Sequence, residues 1–562
     1  MQNQGIIYKI KSVYIIRDIL NYIKDNKIQL KLFIYSKYFQ NLLNIKYIDA
    51  KEKYIKNIGF NINEYLYIEE EKFEKNILTK KYDKFILEKK INKKLFEDII
   101  YEILENKQIK EINKESEAYI NIDSPLFEIL SKLNDFEKNY TLYISQKNID
   151  DYNLINEYIK LLDKFNKSNI KYISIFYIFN NNEIKYLKQL NIDYNKIIKL
   201  KLKDLDGTAN LKYLEYENFK KLKELNLEYN KISNIEALKN VKFENLEILN
   251  LGENNISNIN DLGYVDFKEL KELDLNINKI SNIEVLRQVK FEKLEKLNLS
   301  WNNISNINDL GYVDFKELKE LDLNINKISN IEVLKQVKFE KLEILNLGYN
   351  KISNINNLKY VNFKQLKELN IEHNIISNIE VLKNVKFEKL EILNLGYNKI
   401  SNINNLEYVN FKELKELYLN VNKISDIEVL DKVKFEKLEK LNLSWNYISN
   451  INNLEYVNFK GLKELNSEHN MVSDIEVLKR VKFEKLEKLN LSWNYISNIN
   501  NLEYVNFKEL KELNLEHNII SDIEVLKKVK FENLEKLYLN HNTFDINSSI
   551  IKYLQSKFKL YI

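Results

Sequence analysis

From Leu222 onward, apolar and polar positions follow one fixed pattern. LKELNLEYN (222–230) alternates apolar and polar, which predicts a short strand with one buried face carrying Leu222, Leu225 and Leu227. KISNIEALKNVKFENL follows, with Ile232, Ile235, Leu238, Val241 and Phe243 at spacings of two and three, which suit a turn-rich or helical return segment. The pattern restarts every 24 residues, from Leu222, Leu246 and Leu270 to Leu510 and Leu534, for fourteen units. One such unit cannot bury its own apolar edge, so stacked neighbours must make the core. A longer period of 48 residues overlies it, because units ending SNINNLEYVNFKEL alternate with units ending SDIEVLKKVKFEKL.

The unit L-x-x-L-x-L-x-x-N resembles the leucine-rich repeat, and the likeness spans residues 222–545. It implies an α/β solenoid, a horseshoe with a concave parallel β-sheet. In that family the Asn closing each strand (Asn230 in the first unit) bonds the backbone of neighbouring coils. Leaving those groups unpaired costs roughly 1–3 kcal/mol per coil. One unit departs from the pattern: LKELNSEHN places Ser467 where the first unit has Leu227, so the coil at 462–485 should be the softest of the array.

Outside the array the pattern is looser. NYTLYIS (139–145), IKYISIFYIF (170–179) and IIKLKLKDL (197–205) read as strands, 151–165 as a helix, and LKQLNIDYN (187–195) matches the repeat out of register. Residues 138–221 are therefore read as irregular first repeats. At the other end, 546–562 read as a helix and strand that cap the solenoid. The N-terminal region is expected to be mostly helical, with a connector over 49–137 that includes a helix pair at 79–107. Residues 10–45, within a helical segment 1–48, are similar to an F-box, although the usual Leu-Pro opening is missing. That resemblance implies a ubiquitin-ligase adaptor as partner, with the repeats choosing the substrate; a plain helical cap is the alternative.

One column of the repeat varies while its neighbours do not. The residue before the closing Asn is Tyr229, Glu253, Ile277, Trp301, Ile325, Tyr349, His373, Tyr397, Val421, Trp445, His469, Trp493, His517 and His541 in turn. All three Trp and all four His of the chain lie in it. Two readings stand: bulky side chains that pack on each other and shield the strand ends, or a contact stripe for a protein partner, since exposed aromatic stripes are common binding hot spots. The neighbouring columns are polar, with Asn226, Asp274 and Asn298 in one, interrupted by Tyr418 and Tyr538, and Glu228, Gly252, Ser300 and Gly348 in the other. The glycines are expected to leave shallow dips beside Tyr349 and Tyr397. Tyr418 joins the column as a candidate contact. A metal site is not expected: His469 and His517 lie two coils apart, and His517 and His541 lack an evident third ligand.

Composition narrows the function further. The chain has 562 residues with Lys+Arg 87 against Asp+Glu 83, a net charge of +4, so no broad basic field argues for nucleic acid. It has no Cys, which excludes disulfides and thiol catalysis. No uncharged run approaches the roughly 18 residues of a membrane span, and the N-terminus shows no secretory signal, so a cytoplasmic protein is expected. No phosphate-binding loop or nucleophile elbow occurs, so no enzyme and no cofactor are expected. The leading reading is a protein-interaction scaffold that binds its partner on the concave face. Alternatives are a ubiquitin-ligase subunit, or a phosphatase regulatory subunit, whose short repeats the N-x-I-S-x-I-x-x-L pattern is similar to; bacterial internalins share that pattern.

Overall fold

The computed structural model describes residues 197–203, 211, 214 and 219–562, and before them the backbone of five strands. The described strands fall into two compact units.

In the first unit, β1 (Leu66–Ile68), β2 (Lys84–Leu87), β3 (Glu117–Asn121), β4 (Tyr140–Ile144) and β5 (Ile170–Phe176) pair in chain order, all parallel. The strands expected over 139–145 and 170–179 are present. The helical expectation for 49–137 is corrected at three places, since β1, β2 and β3 lie inside it and β2 falls within the expected helix pair at 79–107. Short apolar runs such as KFIL fit a strand as well as a helix turn, and lateral pairing, which periodicity does not register, decides between them. The F-box-like residues 10–45, the helix at 151–165 and the motif at 187–195 lie outside the described residues.

The second unit is the array. It contains β6 (Lys199–Lys203), then fourteen three-residue strands, β7 (Glu224–Asn226) to β20 (Lys536–Tyr538), each 24 residues after the last, then β21 (Lys559–Tyr561). All sixteen pair in parallel and in chain order. Their register is exact in the repeat: Leu225 lies opposite Leu249, and Leu249 opposite Leu273. The central Leu of each strand from β7 to β20 is buried and its two neighbours reach the surface. Leu222, Leu225, Leu227, Ile232, Ile235, Leu238, Val241 and Phe243 are all buried, as are their equivalents from Leu246 to Phe531 except the half-buried Val481 and Val529.

The return segments are single turns of 3-10 helix, from Glu236–Asn240 to Glu524–Lys527. An Asn or Asp two residues earlier starts each turn; Asn234 Oδ1, for example, accepts from the Glu236 amide at 2.7 Å. Phenylalanines end the returns, and towards both ends of the array they stack from coil to coil, as Phe243 does on Phe267 at 6.5 Å and Phe507 on Phe531 at 6.5 Å.

The closing asparagines form the expected ladder. Asn254 Nδ2 donates to Leu227 O of the preceding coil (2.9 Å) and to Leu251 O (3.0 Å) and Gly252 O (2.9 Å) of its own. Its Oδ1 accepts from the Ile232 amide of the preceding coil at 3.1 Å. Each Asn thus satisfies four backbone groups at a buried corner that no apolar residue could serve. At the far end, helix α1 (Ser549–Lys557) starts on Ser548, whose side chain accepts from the Ile550 amide, and β21 then pairs with β20. Residues 549–561 thus place a helix and a strand beside the last coil.

Candidate functional site

The variable column occupies one backbone conformation throughout. Every described non-glycine residue with positive φ belongs to it, from Ile277 at 46° to Tyr229 at 63°. The chain turns here, off the strand and into the Asn corner. Most backbone groups of the column are used: the Ile277 amide donates to Ser300 O of the next coil (3.0 Å), and its carbonyl accepts from the Asn254 amide of the previous one (3.1 Å). These bonds are made by the backbone and not by the side chain, so the position accepts side chains of different kinds.

Left-handed backbone costs an L-residue roughly 1–2 kcal/mol, least for Asn, Asp and His. The four histidines suit it. Trp301, Trp445 and Trp493 carry no such preference, and the β-branched Ile277, Ile325 and Val421 are the worst choices. Stability alone would not place them there.

The rings of the column stack. His373 lies between Tyr349 (3.8 Å) and Tyr397 (3.7 Å). After Val421 a second stack begins: Trp445 on His469 at 3.6 Å, His469 on Trp493 at 5.4 Å, Trp493 on His517 at 3.7 Å and His517 on His541 at 4.0 Å. The side chains thus do pack on one another, and they remain open to solvent as they do so. Trp301 is 54% exposed, Trp445 50% and Trp493 45%. Tyr229, Ile277, Tyr349, Tyr397 and His541 are also exposed, while Ile325, His373, His469 and His517 are half-buried. Burial between its tyrosines holds His373 below its ordinary pKa of 6.5.

Tyr418 belongs elsewhere. It sits on the sheet face in β15 (Glu416–Tyr418), half-buried, with its hydroxyl donating to Glu416. Burial, reinforced by that carboxylate, pushes its pKa well above the usual tyrosine value. Most other residues of its column are Asn or Asp whose Oδ1 accepts from the amide two residues on, as Asn298 does from Ser300 (3.0 Å) and Asp322 from Asn324 (2.9 Å).

The expected dips at glycine are absent. A Cβ on Gly348 would lie 2.8 Å from Asn324 Oδ1 and one on Gly396 the same distance from Asn420 Oδ1, while Asn276 covers Gly252. Amides from adjacent coils fill the space, so glycine there makes room for a neighbour.

The sheet face is acidic over β9 (Glu272–Asp274) to β13 (Glu368–Asn370). Glu272, Asp274, Glu320, Asp322, Glu368 and Glu372 project there with Lys296 as the only lysine. Asp274, Asp322 and Glu368 all have raised pKa values, first from burial and then from neighbouring carboxylates: Glu228 at Asp274, Glu320 at Asp322 and at Glu368.

Three features escaped the sequence reading. Beside the sheet face, Lys and Glu alternate strictly from coil to coil: Glu247 bridges Lys223 (2.5 Å) and Lys271 (2.7 Å), and Lys319 meets Glu295 at 2.6 Å. The 48-residue period thus has an electrostatic role, since a 24-residue copy would set like charges side by side. A second exposed row of aromatics, Tyr264, Tyr312, Tyr360, Tyr408, Tyr456 and Tyr504, marks alternate return segments. The third is a third candidate ligand beside the two C-terminal histidines: Glu516 brings a carboxylate to His517 and His541, with one ligand atom of each within 4.8 Å of the others.

Leucine-rich-repeat family profiles match residues 220–280 and 316–376, a two-copy profile matches 388–432, and a further one matches 292–307. No curated protein matches the chain. Among solved structures, a leucine-rich-repeat protein of Leptospira interrogans is 24% identical with a TM-score of 0.60, over 72% of this chain and 98% of its own. An internalin of Listeria monocytogenes is 25% identical with a TM-score of 0.46, over 61% of this chain and 87% of its own. Among the described residues, no helix is long and apolar enough to cross a membrane. Strand pairing, Asn ladder and profile matches agree: the array that runs on from Leu222 is a solenoid built of leucine-rich repeats.

Proposed function

We propose that this chain is a non-enzymatic interaction protein that binds a protein partner along its aromatic column and the adjoining sheet face. Leucine-rich-repeat proteins generally mediate protein–protein interaction, through the extended surface that stacked coils create. The observation that carries the proposal is the occupation of a left-handed backbone position by large apolar or aromatic residues that reach solvent in nine of the fourteen coils, at Tyr229, Ile277, Trp301, Ile325, Tyr349, Tyr397, Val421, Trp445 and Trp493. Strain of this kind gathers where a surface serves a partner. Tyr229, Ile277, Trp301, Ile325, Tyr349, His373 and Tyr397 form the contact on the N-terminal side of Val421; Trp445, His469, Trp493, His517 and His541 extend it beyond.

The acidic face over β9–β13 selects the partner's charge. Carboxylates already destabilised by burial and mutual repulsion gain most from a cation beside them, so a segment bearing Lys or Arg together with apolar side chains fits best. The test is selection of displayed random peptides on the full chain. Enriched peptides should combine basic and apolar residues and lose affinity as salt rises. Enrichment of acidic peptides, or of none, would overturn the proposal.

A further inference from the structure

We propose that Glu516, His517 and His541 form a site for a divalent transition-metal ion of the zinc class near the C-terminal end of the array. The repeat supplies an internal comparison. Glu-His-Asn stands at the end of the strand in three units, at Glu372-His373, Glu468-His469 and Glu516-His517. In the first two the next ring in the column is Tyr397 or Trp493, neither of which ligates. In the third it is His541. Only there does the 24-residue step bring a second imidazole, and only there among the described residues do three such groups come within 4.8 Å.

The surroundings suit an ion. Glu516 Oε1 lies 3.7 Å from His517 Nε2, and the carboxylate is held by the side-chain amide of Asn540. The other atom of that amide, Asn540 Oδ1, is buried without a hydrogen-bond partner. Lys536, the lysine of the adjacent strand, is already paired with Glu512 at 3.1 Å and does not compete for Glu516. The two imidazoles stack at 4.0 Å with their planes 19° apart, so their lone pairs run side by side, and one ring must tilt to share an ion. His517 is held by Trp493 on its other face. His541 is exposed, with no second ring stacked on it among the described residues, so it is the ring free to move. Two neutral nitrogens and one carboxylate oxygen, with water completing the shell, match zinc and its neighbours; calcium and magnesium favour oxygen donors.

Isothermal titration of the EDTA-stripped full chain with zinc chloride tests the assignment. One ion per chain is expected, with affinity at least tenfold weaker in His541→Asn and in Glu516→Gln. His541→Asn leaves the fold unchanged, because the position is exposed and left-handed backbone accepts Asn readily. Tyr397→His should rebuild the trio with Glu372 and His373 and raise the stoichiometry to two. Absence of saturable binding, equal affinity in the parent and His541→Asn, or a single ion in Tyr397→His would each overturn the assignment.

Discussion

Replacing Ser467 with Leu should stabilise the array. At this position the other thirteen units carry Leu or Ile, and Leu443 and Leu491 in the flanking coils are each 1% exposed. Ser467 is equally buried, at 3%. β16 (Lys440–Asn442), β17 (Glu464–Asn466) and β18 (Lys488–Asn490) keep the common register, so the coil has not closed over the missing side chain. Leu465 beside it is also 3% exposed, against 1% for Leu441 and Leu489, which is the trace the small residue leaves. Leu adds roughly two to three buried carbon groups at about 0.8 kcal/mol each, or about 2 kcal/mol in all. The hydroxyl it displaces only accepts from Asn470 Nδ2 at 3.4 Å, and that amide keeps Leu443 O at 3.0 Å and Ser467 O at 3.2 Å. Native-state hydrogen exchange reads the effect coil by coil. In the parent, the amides of 462–485 should exchange faster than those of 414–437; in Ser467→Leu they should slow by about thirtyfold, the equivalent of 2 kcal/mol. Equal protection of the two coils in the parent, or unchanged exchange in the variant, would refute the reasoning.

Three further outcomes follow from the same geometry. Asn422→Ala should destabilise its coil by about 3 kcal/mol or more in denaturant titration, since it strips the buried Leu395 and Leu419 carbonyls (3.0 and 3.1 Å) and the Ile400 amide (3.0 Å) of their partner. Ile277→Asn should stabilise by about 1 kcal/mol, because Ile277 is 42% exposed and its left-handed backbone suits Asn; a loss of stability on thermal melting would count against the strain. Asp322→Asn should stabilise at neutral pH with no gain below about pH 3.8. The folded carboxyl is held above its ordinary 3.8 by burial and by Glu320 and Asp274, so its ionisation costs stability as pH rises through the folded value, and that cost is absent where both states are protonated. Asn keeps the acceptor for the Asn324 amide, as Asn346 does for Gly348 at 3.1 Å, so melting midpoints across this range isolate the charge.

The array was readable because each coil meets the same environment. A 24-residue period with Leu225 and Asn230 in fixed places determines strand, corner and parallel register together, and the Asn ladder followed from it. The variable column was visible as letters; its meaning was only half visible. Fourteen positive φ values do not show in side-chain chemistry, because Trp, Ile and Val argue against such a backbone. Glu516 was not recognised beside His517 and His541 because a 24-residue count shows neighbours within one column and not across two. The dips at Gly348 and Gly396 failed for the opposite reason: the long amides that fill them come from neighbouring coils. β2 was read as helix because a four-residue run has too few positions to display a period.

The central claim is that the column is a binding surface, and the most direct measurement compares two sets of aromatic substitutions. A peptide selected on the full chain would be titrated against Trp301→Ala/Trp445→Ala/Trp493→Ala and against Tyr312→Ala/Tyr456→Ala/Tyr504→Ala, which removes rings of even greater exposure from the return segments. If the column is the contact, the first variant should lose at least about thirtyfold in affinity, the scale of one hot spot of about 2 kcal/mol, and the second should bind like the parent. Parental affinity in the tryptophan variant, with circular dichroism unchanged, would contradict the account.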